Sequence, residues 1–229
     1  MTVEVLADVD SAARRAAEVI AAEARAAVSA RGRFVVAISG GRTPWAMLRA
    51  LSLEVDLPWD DVHIVQVDER IAPSGHADRN LTHLLESLTA QRHSAPARIH
   101  AMPVETDPLD EAAARYARTL ADLAGSPPVL DLVHLGLGPD GHTASLVPGD
   151  PVVDVADADV ALTGVYQGRR RMTLTYPVLN RARRVLWLIT GADKAAMLAR
   201  LRLGDPTIPA GRVRQDHALV IADRAALGC

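Results

Sequence analysis

Residues 34–44 read FVVAISGGRTP, a strand, a turn and a helix start in direct succession. Residues 34–39 are short, apolar and rich in β-branched side chains, which is the composition of a strand buried on both faces. Gly40 and Gly41 then turn the chain. Thr43 suits an N-cap and Pro44 the first helical position, so a helix is expected to follow over residues 45–51. A buried strand feeding straight into a helix is the half-unit of a parallel sheet.

The same alternation extends outward in both directions. Upstream, Val9, Ala13, Ala16, Ile20, Ala24 and Ala27 recur at three- and four-residue steps. They predict a helix over residues 11–30, closed by Gly32. Downstream, VHIVQV (62–67) reads as a strand, the polar DERIAPSGHADRN as a loop and residues 81–90 as a helix. An amphipathic helix over 108–124 ends at Gly125, and residues 130–137 form the next strand. Residues 138–159 are loop-like, with Pro139, Pro148 and Pro151. Strands are expected over 160–166, 171–176, 185–190 and 218–222, and helices over 193–201 and 223–227. The pattern predicts an α/β fold with a mostly parallel sheet and helices on both faces, in one domain spanning residues 1–229.

Composition narrows the function classes. The chain has 229 residues, 49% hydrophobic and 23% charged, with a formal net charge of −3. A chain of this length hides roughly 70% of its unfolded surface. The near-neutral balance and scarce aromatics argue against a nucleic-acid partner. No apolar run of about 18 residues is present to span a membrane. Arg14, Arg15, Glu18, Glu23 and Arg25 interrupt the stretch where a secretory leader would need continuous apolar sequence. The one cysteine, Cys229, offers no disulfide framework and is a poor nucleophile, so a cytoplasmic protein is expected. The histidines show no HExxH spacing, and no metal is expected. No Gly-x-Ser-x-Gly elbow is present either. All but one of the 25 basic residues are arginines; the exception is Lys194.

Ligands of open α/β sheets bind beyond the carboxyl ends of the strands. Ser39-Gly40-Gly41-Arg42-Thr43 is such a strand end. Its glycines allow close backbone approach, and the helix after it presents free N–H groups, an arrangement suited to phosphate. The same pattern also occurs at plain strand–turn–helix joints. Asp68 and Arg70 follow the next strand. Three adjacent charges there also fit a solvated loop, but an arginine at a cleft mouth can grip an anion with its planar fork. Gly136-x-Gly138-x-x-Gly141 matches the dinucleotide fingerprint only formally, because Pro139 and Pro148 prevent the helix that fingerprint must open. It reads better as a tight turn projecting Asp140 and His142. Histidine titrates near neutrality, and a carboxylate two residues away is the local setting of a general base. Arg171 and Lys194 mark two further strand ends.

These residues fall in blocks. AISGGRTP, VDER, PSGHADRN, DLVHLGLGPDGHTASLVPG, RMTLTYPVLNRARRVLWLITGADKA and HALVIADRAA occur in an order and spacing that resemble the 6-phosphogluconolactonase family over almost the whole chain. The resemblance implies a Rossmann-like α/β domain shared with glucosamine-6-phosphate deaminases. It implies hydrolysis of 6-phospho-D-glucono-1,5-lactone, a small phosphorylated sugar lactone, in the oxidative pentose phosphate pathway. No cofactor is implied. The family's base corresponds to His142, with Asp68 and Arg70 as the acid and arginine of its DER block. Ser39, Gly40, Gly41, Thr43, Asp140, Arg171 and Lys194 correspond to its substrate- and phosphate-binding positions. The protein is expected to be a monomer or small homo-oligomer.

Two departures stand out. Arg42 replaces the family's usual serine, which leaves backbone N–H donation intact, and Val67 replaces the glycine common before DER. The deaminase relatives carry a glutamate after the histidine where this chain has Val147, and an aromatic residue where it has Arg70. A non-catalytic sugar-phosphate sensor on the same fold would be expected to lose the base, whereas this chain keeps Asp68, Arg70 and His142.

Overall fold

A computed structural model of the chain describes residues 1–89 and 98–228. The main sheet is built from β1 (Thr2–Leu6), β2 (Phe34–Ile38), β3 (Val62–Gln66), β5 (Arg98–His100), β6 (Leu132–Leu135), β9 (Val185–Ile189) and β10 (Ala218–Asp223). Its strands lie in the order β1-β10-β9-β6-β2-β3-β5, and every pairing is parallel. A second sheet of β4 (Asp68–Arg70), β8 (Arg171–Leu174) and β7 (Val160–Leu162) is antiparallel.

The helices are α1 (Val9–Arg31), α2 (Arg42–Leu51), α3 (Asn80–Thr89), α4 (Leu109–Ala124), α5 (Tyr176–Arg181) and α6 (Ala195–Arg202). They divide between the two faces of the main sheet. Phe34, Val36 and Ile38 of β2 join the core under α1, α2 and α3. Val35 and Ala37, pointing the opposite way, join the core that takes in α4, α5 and α6. The two-residue alternation of a strand thus feeds two cores at once. Small side chains on α1 (Ala12, Ala13, Ala16, Ala24) are buried and bring its backbone close to its neighbours. Asp8 caps its first turn by accepting from the Ser11 N–H, and Gly32 closes it at φ +73°. Among the described residues, no helix is long and apolar enough to cross a membrane.

From β2 the chain moves to β3 and β5 on one side, and from β6 to β9 and β10 on the other. The direction of winding reverses between β2 and β6. This reversal opens a crevice at their carboxyl ends, the place where such sheets bind ligands.

The expected α/β architecture is present, with several local differences. Asp68–Arg70 is strand β4 rather than loop, because it pairs with β8. Thr43 does not cap α2. Gly41 holds the N-cap position and Arg42 opens the helix, so Pro44 lies within the first turn. The Thr43 hydroxyl instead meets that of Thr190 at 2.8 Å. β7 stops at Leu162, and Tyr166 lies beyond it in a tight turn. Tyr176 opens a helix rather than ending a strand. A 3-10 turn (Ala192–Lys194) precedes α6. β1 and β5, both at sheet edges, had no counterpart in the sequence pattern. The expected helix end at Ala90 and the expectation for Cys229 fall outside the described residues.

One buried group gives the fold an acid sensitivity. His134 on β6 is fully buried, its Nδ1 accepts from the Ser39 N–H at 3.4 Å, and its Nε2 has no partner. Burial pushes its pKa down to about 3. The folded state keeps this imidazole neutral, while the unfolded chain takes up a proton below about 6.5. Its stability contribution is therefore full above about pH 6.5 and is lost as pH falls toward 3. Between pH 7 and pH 5 the loss amounts to about 2 kcal/mol. In urea unfolding, His134→Leu should lose less stability than the parent over that interval. Equal losses would mean that His134 is not the sensor.

Candidate active site

A cavity of about 640 Å³ opens in the β2/β6 crevice. Its lining includes Ser39, Gly40, Gly41, Thr43, Asp68, Arg70, His142, Arg171 and Lys194. Nine of the ten expected site residues therefore share one cavity, and the tenth, Asp140, stands behind His142 and bonds to it.

The floor is the turn after β2. Gly41 at φ +135° starts α2, which has neither a side-chain cap nor an acidic residue in its first turn. The helix's first N–H groups are left for a ligand, and its positive dipole end is uncompensated. Gly40 cannot be another residue, since a Cβ there would lie 2.0 Å from Asn80 Oδ1.

Asn80 links this turn to the small sheet. Its Nδ2 donates to the Asp68 carbonyl at 3.0 Å and to Asp68 Oδ1 at 3.3 Å. Its Oδ1 accepts from Arg70 Nη1 at 2.5 Å. Asn80 is itself fixed from below by Glu69, which is 0% exposed and accepts the N–H groups of Asn80 and Leu81. Glu69 also lies 3.1 Å from the guanidinium of buried Arg79. β4 therefore splits its charges: Glu69 faces inward as an anchor, while Asp68 and Arg70 face the cavity.

Asp68 is nearly buried. Ser145 Oγ donates to its Oδ2 at 2.6 Å, and Arg171 Nη1 stands 3.9 Å away. Cross-strand pairing places Arg70 opposite Arg171. Desolvation works against the charge of Arg171 and lowers its pKa, and Asp68 is the chief offset.

His142 sits on the turn after β6. The Gly138 N–H donates to the His142 carbonyl at 2.8 Å, and the Gly141 N–H to the Gly138 carbonyl at 3.1 Å. A Cβ on Gly138 would lie 2.0 Å from His142 Nδ1, so this glycine makes room for the imidazole. His142 Nδ1 and Asp140 Oδ1 are 2.5 Å apart. Desolvation raises the pKa of Asp140, but the charge and hydrogen bonds of His142 outweigh it and the net shift is downward. An ionised Asp140 accepts, so Nδ1 carries the proton and Nε2 is left as the basic nitrogen.

Lys194 enters from the turn after β9. Gly191, at φ +98°, donates its N–H to buried Asp223, and the Lys194 N–H returns to the Gly191 carbonyl. The ammonium lies 3.1 Å from Asp193 and lines the cavity.

Sequence reasoning left Asn80, Ser145 and Tyr166 without roles. Asn80 and Ser145 stood inside quoted blocks, and membership of those blocks was the available signal. Tyr166 carried none, since its position depends on a hairpin turn. Among the described residues, no three His, Cys, Asp or Glu side chains gather so as to hold a metal ion.

Known proteins place the whole arrangement in context. A 6-phosphogluconolactonase of Nostoc is 36% identical over 205 residues, covering 87% of this chain and 84% of its own. The structure of a Thermotoga maritima 6-phosphogluconolactonase is 28% identical with a TM-score of 0.83, over 97% of this chain and 98% of that one. A monomeric glucosamine-6-phosphate deaminase superposes with the same TM-score, 0.83, at 20% identity over 100% of this chain and 99% of that one, so the backbone alone does not separate the two activities. The family model described as glucosamine-6-phosphate isomerases/6-phosphogluconolactonase matches residues 7–222. From the first helix to the last strand, then, the chain belongs to the glucosamine-6-phosphate isomerase/6-phosphogluconolactonase family.

Proposed function

We propose that this protein hydrolyses 6-phospho-D-glucono-1,5-lactone to 6-phospho-D-gluconate, the second step of the oxidative pentose phosphate pathway. One observation carries the reading. A histidine whose Nδ1 is held by a carboxylate faces the same cavity as an uncapped helix N-terminus, a lysine and two arginines.

The phosphate sits against the N–H groups of Gly40, Gly41 and Thr43, with Lys194 beside it and Arg70 and Arg171 completing the positive field. This remote binding energy orients the lactone carbonyl toward His142. Nε2 of His142 takes a proton from water as the water oxygen attacks C1. Asp140 holds the imidazolium that forms, and a cavity guanidinium or backbone N–H stabilises the oxyanion. When the tetrahedral intermediate collapses, the bond from C1 to the ring oxygen breaks. That oxygen receives the proton from His142, and the carboxylic acid product ionises. Asp68, engaged by Ser145 and Arg171, holds Arg171 in place rather than acting as a base.

The amine chemistry of the deaminases needs an acid where this loop has Val147, which is buried and apolar. The deciding assay follows the disappearance of freshly made 6-phosphogluconolactone against its spontaneous hydrolysis. Acceleration supports the reading. Binding without acceleration would point to a sensor, and ammonia release from glucosamine 6-phosphate to a deaminase.

Lys194→Ala should raise KM for the phosphorylated lactone roughly 10–100-fold, the scale of a lost charge-assisted hydrogen bond. Steady-state kinetics with an unphosphorylated gluconolactone provide the control. An equal effect on that substrate would remove Lys194 from the phosphate.

A further inference from the structure

Tyr166 is delivered to the site by a hairpin of its own. Tyr166 and Arg169 exchange backbone hydrogen bonds of 2.9 and 3.3 Å across Gln167 and Gly168. Both central residues have positive φ, +52° and +77°, the geometry of a type I′ turn. The turn is clamped from outside. Arg169 bonds Asp78 at 3.0–3.1 Å and lies 3.3 Å from His76 Nε2, tying the hairpin to the segment that leads into α3.

Held this way, the Tyr166 side chain meets three groups of the site, Asp140, His142 and Arg171. Its hydroxyl donates to Asp140 Oδ2 at 3.2 Å. Its ring meets His142 edge-on, with centroids 5.4 Å apart at 67°. The Arg171 guanidinium lies over the ring, 5.0 Å from its centre. Asp140 thus has one oxygen on His142 and the other on Tyr166.

We propose that Tyr166 is a positioning residue of this site, acting through Asp140. It fixes the carboxylate in the plane that orients His142, and its O–H draws off part of the carboxylate's charge. This rests on the lactonase reading for its kinetic consequence but not for its effect on His142. The charged and titratable groups facing the pair are Tyr166 from the hairpin turn and Arg171 from β8, with Arg70, Asp68 and Lys194 around the same cavity. Of these, Tyr166 bonds Asp140 directly.

The sign follows. Without the phenol, Asp140 holds its charge more fully and stabilises the imidazolium more, so His142 titrates at higher pH. The acidic limb of kcat/KM should move up with it, by about 0.3–0.6 pH unit for one neutral donor lost from a carboxylate.

The experiment compares the parent protein with Tyr166→Phe, which keeps the ring and removes the hydroxyl. His142 is titrated by NMR on 15N-histidine-labelled protein, and kcat/KM is measured from pH 5 to 8 above spontaneous hydrolysis. Support is an upward move of the His142 midpoint, with a mutant-to-parent kcat/KM ratio that falls as pH falls. A purely structural defect would lower the ratio equally at every pH and leave the midpoint in place, and that result overturns the proposal. If the parent protein does not accelerate lactone hydrolysis, the lactonase reading fails, and the NMR midpoint alone still decides the role of Tyr166.

Discussion

Replacing His142 by alanine should lower kcat roughly 10²–10⁴-fold, the range attributed to a positioned general base. The fold should tolerate the change. His142 sits on a turn at the cavity wall with its side chain 20% exposed, and the turn is closed by backbone bonds of Gly138 and Gly141 that the substitution does not touch. The lost rate is then chemical, and KM should change much less than kcat, because the groups assigned to the phosphate lie elsewhere in the cavity. Residual turnover above the spontaneous rate is expected from the remaining positive field and the oriented lactone. Rapid-mixing assays on freshly prepared lactone measure this directly. Near-normal turnover in His142→Ala would remove the histidine from proton transfer and shift attention to the arginines.

How much of this was readable beforehand differs by element. β2, β3, β6, β9 and β10 are shielded on both faces, so their apolar, β-branched runs announce them whatever their partners. β1 and β5 lie at the edges, where half-exposed side chains leave little pattern, and β5 is only three residues long. The cavity residues were legible because each follows a strand, and the topology then gathers strand ends from across the chain. Asp68-Glu69-Arg70 was the hardest segment. Its charges read as a solvated loop, yet Glu69 has no exposure at all. What compensates that burial lies beyond the reach of any local pattern: Gln66 Nε2, the N–H groups of Asn80 and Leu81, and the Arg79 guanidinium. Tyr166 was hidden for a similar reason, since its contact with Asp140 needs a two-residue turn and a clamp from a segment some ninety positions earlier.

Glu69 carries the largest expected effect on stability. Glu69→Ala should cost about 3–5 kcal/mol, the usual penalty for removing one partner of a buried ion pair. Arg79 is only 2% exposed, and without Glu69 its carboxylate partner would be Glu105, which is half-exposed. The two N–H groups at the start of α3 and the Arg70 N–H would lose their acceptor at the same time. The damage should reach the site, because Asn80 would no longer be held at the height that lets it bond Asp68 and Arg70 and pack on Gly40. Activity should therefore fall even at temperatures where the variant stays folded. Two companions keep the argument testable if Glu69→Ala is too unstable to purify. Glu69→Gln retains an acceptor oxygen and should lose less. Pairing Glu69→Leu with Arg79→Met removes both buried charges and should cost less than the sum of the single changes. Urea unfolding of the set gives the numbers. An additive double variant, or a Glu69→Ala protein as stable as the parent, would mean that Glu69 is merely buried and does not hold the wall of the cavity in place.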